Sequence, residues 1–316
     1  MINQNKLLGR FRRIRKLMMI IDFLLTQSKI KSGLLNDILI IVNDIIATLN
    51  RFKPELNYYD FTKQKFDKQK LFILGSGASV NDLSEKNWQE IKSGSSFSFN
   101  YFLVKGFTGN LHFIEYSEIK EEQKIYYEAI QENPSLQQII YIINQFHYNE
   151  KVSPPPAEIN DLFYFQNPFR FPSTNKRLIK FLLQYGSYIL PIDNPNYGIH
   201  HSSSVCYLIN LGVRMGFRHI VLVGIDLNNA DYFFYERKGR LDKELTKIYK
   251  NYWRNSNIHE TADPNFTNRY NEMSTPEYIK LYHSVVCRKK SVKLEVANPK
   301  SLLASFLNVY KFDNNV

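Results

Sequence analysis

The sequence predicts an α/β fold built on a mostly parallel, doubly wound sheet behind a helical N-terminal extension. Two observations carry this. Short apolar runs ended by turn residues alternate with helical patterns from about residue 67 onward. Before that point the apolar residues recur near the helical period instead, with no strand-like run.

Residues 1–66 form the extension. Arg10, Arg12, Arg13, Arg15 and Lys16 crowd one stretch that runs into Leu17, Met18, Met19, Ile20 and Ile21, then Phe23, Leu24 and Leu25. That is the pattern of a basic amphipathic helix lying on a membrane, and equally of a helix packed on its own domain with a solvated basic face. A second apolar stretch follows at Leu34, Leu35, residues 38–42, Ile45, Ile46 and Leu49. Residues 63–70 are a charged connector, and the main domain spans 67–316.

In that domain, residues 71–74 (LFIL) read as a buried strand ended by Gly75-Ser76-Gly77, with a helix over 85–92. Further strands are expected at 96–99, ending on Asn100, at 111–116 and at 139–143. A helix is expected over 202–211, then a strand at 220–223 running into Gly224-Ile225-Asp226. Residues 228–273 are polar and aromatic with little periodicity, which suggests an active-site lid holding short helices. Ser274, Thr275, Pro276 and Glu277 carry the signals of a helix start, and 293–296 form a last strand before Asn298.

A chain of 316 residues, 44% of them hydrophobic, can build one sizeable α/β core. With 21 Tyr and 23 Phe, disordered and fibrous classes are excluded. Cys206 and Cys287 match no metal-ligand spacing and require no disulfide, so a reducing compartment is expected. No secretory signal pattern opens the sequence, and no apolar run approaches the roughly 20 residues that span a bilayer. The expectation is a cytoplasmic protein, peripheral at the inner face of the cytoplasmic membrane through residues 6–25. The formal net charge of +11 favours anionic partners without choosing among nucleic acid, acidic lipid and charged glycan.

In open parallel sheets ligands collect beyond the carboxyl ends of the strands. The candidates there are Gly75–Ser79, Asn100, Tyr116, Asp226 and Asn298. A glycine turn entering a helix lets backbone N–H groups approach a phosphate, a role Gly75, Ser76 and Gly77 fit, as they also fit a tight structural turn. Asp226 suits a ribose or cytosine contact, or a cap on the turn that follows. Walker-type, GxSxG and DxD motifs are all absent, so a sugar-nucleotide transferase would work here without metal.

The segment Leu71-Phe-Ile-Leu-Gly-Ser-Gly-Ala-Ser-Val80, followed by Phe97-Ser-Phe-Asn100, resembles the opening of bacterial sialyltransferases of glycosyltransferase family 42, where a G-N-G-P-S turn precedes a strand ending in Asn. Three further blocks follow in the family's order: His201-Ser-Ser-Ser-Val205, resembling T-S-G-V; Gly216-Phe-Arg-His-Ile-Val-Leu-Val-Gly-Ile-Asp226, resembling G-Y-x-x-I-Y-L-x-G-I-D; and Asn298-Pro-Lys-Ser-Leu-Leu303, resembling P-N-S-L-L. Together they cover roughly residues 70–307.

The resemblance implies a single Rossmann-like A-type glycosyltransferase domain with a lid. It implies a CMP-sugar donor, inversion at the anomeric carbon, no metal and no other cofactor. Gly75, Ser76, Gly77 and Asn100 would surround phosphate and ribose, Ser203 and Ser204 would lie near the nucleotide, and Asp226, Asn298 and Ser301 fall in the remaining matched blocks. The sequence departs from the family at Ser76, where the family has Asn, and at Ser204, where it has Gly. Tyrosines shortly after the G-I-D block stabilise the leaving phosphate in the family, which points to Tyr232 and Tyr235, residues that aromatic packing would also account for. The family's histidine base has its positional counterpart near Ser274, which cannot serve, so His259 in the lid is the expected base, with His200 and His201 as rivals. His283 reads as a packing residue, Trp88 carries no signal, and Trp253 in the lid can contact an acceptor sugar.

The reaction so implied moves a sialic acid-like nonulosonic acid or Kdo from its CMP donor to a lipopolysaccharide or capsule glycan hydroxyl, in a monomer or homo-oligomer. One alternative is a pyrophosphokinase-like enzyme using ATP and Mg²⁺, which would need clustered carboxylates where only Asp82 and Glu115 are near. Another is a nucleic-acid binding protein, for which no recognised module is present.

Overall fold

The structure is a computed structural model that describes residues 33–50, 53, 56–115, 119–144, 155–170, 173–185, 194–252, 258–270 and 272–312, with the single positions 9, 12 and 15. The expected membrane-binding stretch at 6–25, and with it Tyr116 and Trp253, lies outside the described residues apart from those single positions.

Eight strands form one sheet, and every pair in it is parallel. In chain order they are β1 (Lys70–Leu74), β2 (Ser95–Phe99), β3 (Leu111–Ile114), β4 (Ile140–Asn144), β5 (Phe163–Gln166), then β8 (His219–Val223), β9 (Lys293–Val296) and β10 (Asn308–Val309). A separate two-stranded ladder joins β6 (Phe169–Arg170) to β7 (Ile199–His200). The large sheet runs β10-β9-β8-β1-β2-β3-β4-β5. The chain therefore winds outward one way through β1 to β5 and the other way through β8 to β10, and the direction switches between β1 and β8.

Alternation along each strand sends side chains to two cores, as a sheet covered on both faces requires. From β1, Leu71 and Ile73 enter one core, and Phe72 and Leu74 enter the other. The first core is closed by α1 (Gly33–Asn50), α4 (Lys176–Tyr185), α5 (Ser204–Met215) and α7 (Thr275–Tyr282). The second is closed by α2 (Glu85–Ser93), α3 (Lys120–Glu132) and α6 (Arg240–Tyr252). No helix among the described residues is long and apolar enough to cross a membrane.

The described part of the extension is packed onto the domain. Val42, Ile45, Ile46 and Leu49 of α1 sit in the first core, and the Asn167 amide donates to the Thr48 carbonyl at 2.7 Å. Tyr59 N–H donates to the Phe165 carbonyl at 3.0 Å, which adds a short parallel edge beside β5.

Several boundaries differ from expectation for visible reasons. The helix expected from residue 202 begins at Ser204, because Ser202 has a left-handed φ of 64°. In the lid region, Arg240–Tyr252 is a 13-residue helix, longer than the short pieces expected. Its apolar side, Leu241, Leu245, Ile248 and Tyr249, has helical spacing, but charged residues between these positions mask it in the sequence. The helix start at residues 274–277 is observed: Ser274 is the N-cap, Pro276 lies in the first turn, and Ser274 Oγ donates to Glu277 Oε2 at 3.1 Å.

Candidate functional site

A cavity of about 340 Å³ opens at the carboxyl ends of β1 and β8, the switch point of the sheet. It lies within the size range of small-molecule sites. Its walls come from the loops after β1, β2, β3 and β8, the start of α5, Tyr249 of α6 and residues 259–261.

The floor is a backbone clasp between two glycine turns. Gly75 N–H donates to the Val223 carbonyl at 2.8 Å, and Gly77 N–H donates to the Gly224 carbonyl at 2.9 Å. A side chain at Gly77 would put Cβ 2.4 Å from Asp226 Oδ2 and 2.8 Å from the Gly224 carbonyl, so only glycine fits. Gly224 has φ +65°, and a Cβ there would lie 2.4 Å from the Gly75 carbonyl. Two of the N–H groups expected to cradle a phosphate, those of Gly75 and Gly77, are thus spent on holding β1 to β8, and the turn acts as a structural clasp. Gly75 packs under the cavity, while Ser76 and Gly77 line it.

Asp226 is 4% exposed and saturated. It accepts from Ser79 N–H at 2.9 Å, Ser79 Oγ at 2.6 Å and Asn298 Nδ2 at 2.7 Å. Although Asp226 lines the cavity, these bonds tie three loops together and none comes from the turn that follows it, so the expected cap on that turn is not what the carboxylate makes. Asn298 and Ser301 lie outside the lining. Asn298 Oδ1 accepts from Lys300 N–H at 2.9 Å, and Ser301 Oγ donates to the Ile225 carbonyl at 2.7 Å. Both brace the clasp from behind.

Facing the clasp is the N-terminus of α5, with Ser203 as N-cap and Ser202, Ser203, Ser204 and Val205 in the cavity wall. Unpaired N–H groups and the helix dipole make such an end favourable for an anion. Two hydroxyls at this wall, Ser76 Oγ and Ser204 Oγ, are buried with no hydrogen-bond partner. Ser203 Oγ is engaged instead, accepting from Thr275 Oγ1 at 2.9 Å. Three of the four non-glycine residues with positive φ, Asn100, Ser202 and Leu227, line the cavity. Strained backbone of this kind gathers at functional sites. Asn100 Oδ1 accepts from Glu115 N–H at 3.1 Å, and its Nδ2 makes no hydrogen bond among the described residues.

The fourth wall is aromatic. Phe233 N–H donates to the Ser76 carbonyl at 3.0 Å, and Tyr232 bridges Gly77, so the clasp itself positions Tyr232. Its ring is fixed by Phe234, stacked at 5.0 Å, and by Tyr249 and Tyr101 at 5.7 and 5.8 Å. Tyr232 is half-buried and lines the cavity, its hydroxyl makes no hydrogen bond among the described residues, and desolvation raises its pKa far above the ordinary phenol value. It remains a neutral O–H donor. Tyr235 does not line the cavity; it packs edge-on against Tyr232 at 5.6 Å under the Lys250 ammonium.

His259 lines the cavity and is held by its neighbours: its N–H donates to the Leu227 carbonyl at 3.3 Å, and its Nδ1 accepts from Thr261 N–H at 3.4 Å. Nδ1 also lies 3.0 Å from Thr261 Oγ1, and with Nδ1 accepting from the Thr261 N–H the ring proton is assigned to Nε2. Burial pushes the imidazole pKa down to about 4, so His259 is neutral near pH 7. It is therefore suited to donate a hydrogen bond and is a weak base. Of the rivals, His201 is fully buried, stacks on Tyr278 and accepts from Met273 N–H at 3.2 Å, while His200 Nε2 is 3.0 Å from Glu115 Oε1. His283 begins the turn His283–Cys287 that follows α7.

The sequence reading missed the importance of Glu260, Tyr101 and Tyr249, which also line the cavity. Glu260 Oε2 is buried without a partner, and burial raises its carboxyl pKa to about 7. Tyr101 and Tyr249 share a buried network with Glu122, in which Tyr101 donates to the carboxylate. Among the described residues no lysine or arginine lines the cavity, and no group of three or more His, Cys, Asp or Glu is arranged to hold a metal ion. The net positive charge lies elsewhere.

No family model matches the chain, and no curated protein matches it. Among solved structures, the sialyltransferase CstII from Campylobacter jejuni, in complex with a substrate analogue, CMP-3FNeuAc, is similar at 15% identity, over 78% of this chain and 90% of that chain, with a TM-score of 0.45. The monofunctional α-2,3-sialyltransferase Cst-I from Campylobacter jejuni is similar at 15% identity, over 84% of this chain and 86% of that chain, with a TM-score of 0.42. Likenesses at these values carry no argument of their own. The chemistry rests on the residues of the cavity.

Proposed function

We propose that the chain is an inverting glycosyltransferase that moves a nonulosonic acid-type residue, sialic acid-like or Kdo, from a CMP donor to a glycan hydroxyl without a metal ion. The observation that carries this is the meeting, in the lining of one cavity, of the α5 N-terminus with Tyr232, whose hydroxyl has no hydrogen-bond partner among the described residues. When the glycosidic bond to phosphate breaks, the electron pair stays on the phosphate oxygen and CMP leaves with one additional negative charge. A helix N-terminus and preorganised neutral donors meet that charge where it develops. Ser76 Oγ, Ser204 Oγ and His259 Nε2–H are further donors of the same kind. Three of the four sequence blocks that resemble family 42 contribute residues to the lining of this cavity, and the fourth braces the clasp behind it, which adds support for a cytidine nucleotide.

A lipopolysaccharide or capsule acceptor, contact with the inner face of the membrane through residues 6–25, and homo-oligomer formation extend this reading. If those residues bind anionic lipid, deleting residues 1–30 abolishes cosedimentation with phosphatidylglycerol vesicles; equal sedimentation of both forms removes that extension. The transfer itself is tested by thermal stabilisation with CMP, AMP and UMP in EDTA. The expected result is a rise in Tm with CMP that exceeds the other two. No stabilisation by CMP, together with stabilisation by ATP and Mg²⁺, would move the protein to the pyrophosphokinase class.

A further inference from the structure

The structure assigns Glu260 as the general base that removes the proton from the acceptor hydroxyl, an assignment that rests on the transfer reading above. Four carboxylates border the cavity, and three are unsuited. Asp226 is saturated by three donors, Glu115 is paired with His200 at 3.0 Å, and Asp231 is exposed. Of the four, Glu260 alone offers a buried carboxylate oxygen, Oε2, with no hydrogen-bond partner among the described residues.

Its backbone is held in place by a single helical turn. Ala262 N–H donates to the His259 carbonyl at 2.8 Å, and Asp263 N–H donates to the Glu260 carbonyl at 3.0 Å. The titratable groups that share the cavity lining with Glu260 are His259 on its own turn, Asp231 and Tyr232 after β8, Tyr249 on α6, Tyr101 after β2, Glu115 after β3 and Asp226 in the clasp. His259 and the three phenols are neutral near pH 7, so no cation holds the carboxyl in its charged form. A base poised near the working pH accepts a proton in the transition state most effectively. Burial supports that poise by raising the Glu260 pKa to about 7.

In the step, the acceptor O–H bond breaks and its proton goes to the Glu260 carboxylate. The freed oxygen pair forms the new bond to the anomeric carbon, while the bond from that carbon to the phosphate oxygen breaks and its pair leaves with CMP. Protonated Glu260 then returns its proton to solvent. His259 donates from Nε2 and takes no proton.

The test is CMP release from the one donor of a CMP-Neu5Ac, CMP-pseudaminic acid, CMP-legionaminic acid and CMP-Kdo panel that the full chain uses, measured from pH 5 to 9. Wild type, Glu260→Gln and His259→Gln are compared, with Tm recorded for each. The wild-type rate is expected to rise with pH around a midpoint near 7, and Glu260→Gln to lose about 10²-fold or more together with that rise. His259→Gln is expected to keep the rise. Folding has its own readout: the buried carboxyl prefers its protonated form, so its contribution to stability is complete below the ordinary value of 4.5 and is lost as pH rises through about 7. Glu260→Gln should therefore melt higher than wild type at pH 8. A variant that keeps rate and rise, a wild type with no rise near 7, or loss of the rise in His259→Gln alone would each overturn the assignment while leaving transfer intact. No CMP release by wild type from any donor would overturn the transfer reading and the assignment with it.

Discussion

The clasp under the cavity and the aromatic wall above it are built from the same kinds of polar residue but spend them differently. In the clasp, the N–H groups of Gly75 and Gly77, the Asp226 carboxylate and the side chains of Asn298 and Ser301 all find partners within the fold. In the wall and at the α5 N-terminus, Glu260 Oε2, Ser204 Oγ and the half-buried Tyr232 hydroxyl find none among the described residues, and within the clasp turn Ser76 Oγ is the exception that also finds none. Buried polar groups normally pair, and each exception calls for a reason. The difference separates residues that hold the site from residues left available for a ligand.

Substitutions can break this division. The largest loss of stability is expected for Gly224→Ala, where a left-handed φ combines with a Cβ 2.4 Å from the Gly75 carbonyl. Strain and overpacking together should cost about 2–5 kcal/mol in urea unfolding. Next is Asp226→Ala, which strands the donors of Ser79 and Asn298 in a buried place; about 2–4 kcal/mol is expected in the same experiment. Tyr232→Phe should reverse the pattern. Removing an unpartnered hydroxyl leaves stability within about 0.5 kcal/mol of wild type, yet CMP release should fall about 10²-fold, the scale of losing one preorganised donor.

Acid should act on the wall through His259. Its folded pKa of about 4 lies below the ordinary 6.5, so its neutral burial contributes stability above pH 6.5 that is lost as pH falls through 4. His259→Gln should flatten that part of the Tm profile. The smallest effect is expected for Tyr235→Phe, which lies outside the cavity and should change CMP release less than about twofold; a loss as large as that of Tyr232→Phe would put both phenols at the phosphate.

Much of the sheet was legible because buried parallel strands leave uninterrupted apolar runs: LFIL at 71–74 and the run at 220–223 mark the two strands that flank the switch point. β5 and β10 were not legible, one being a short aromatic run after an irregular connection and the other two residues long. Gly75, Gly77 and Asp226 could be placed at the site from their positions after strands. Their partners could not, because the contact between Gly77 and Gly224 joins positions far apart in sequence. Glu260 stood beside His259 in plain view, but solvent-facing and buried glutamates look alike until the fold shows which oxygen is shut away from water.

The most direct measurement is CMP release from the four-donor panel in EDTA by wild type, Tyr232→Phe and Asp226→Ala, each checked for folding by urea denaturation. The account predicts metal-free release from at least one donor by wild type, a folded but slow Tyr232→Phe, and an Asp226→Ala whose loss tracks its unfolding. A wild type that releases no CMP, or a Tyr232→Phe as fast as wild type, would contradict it.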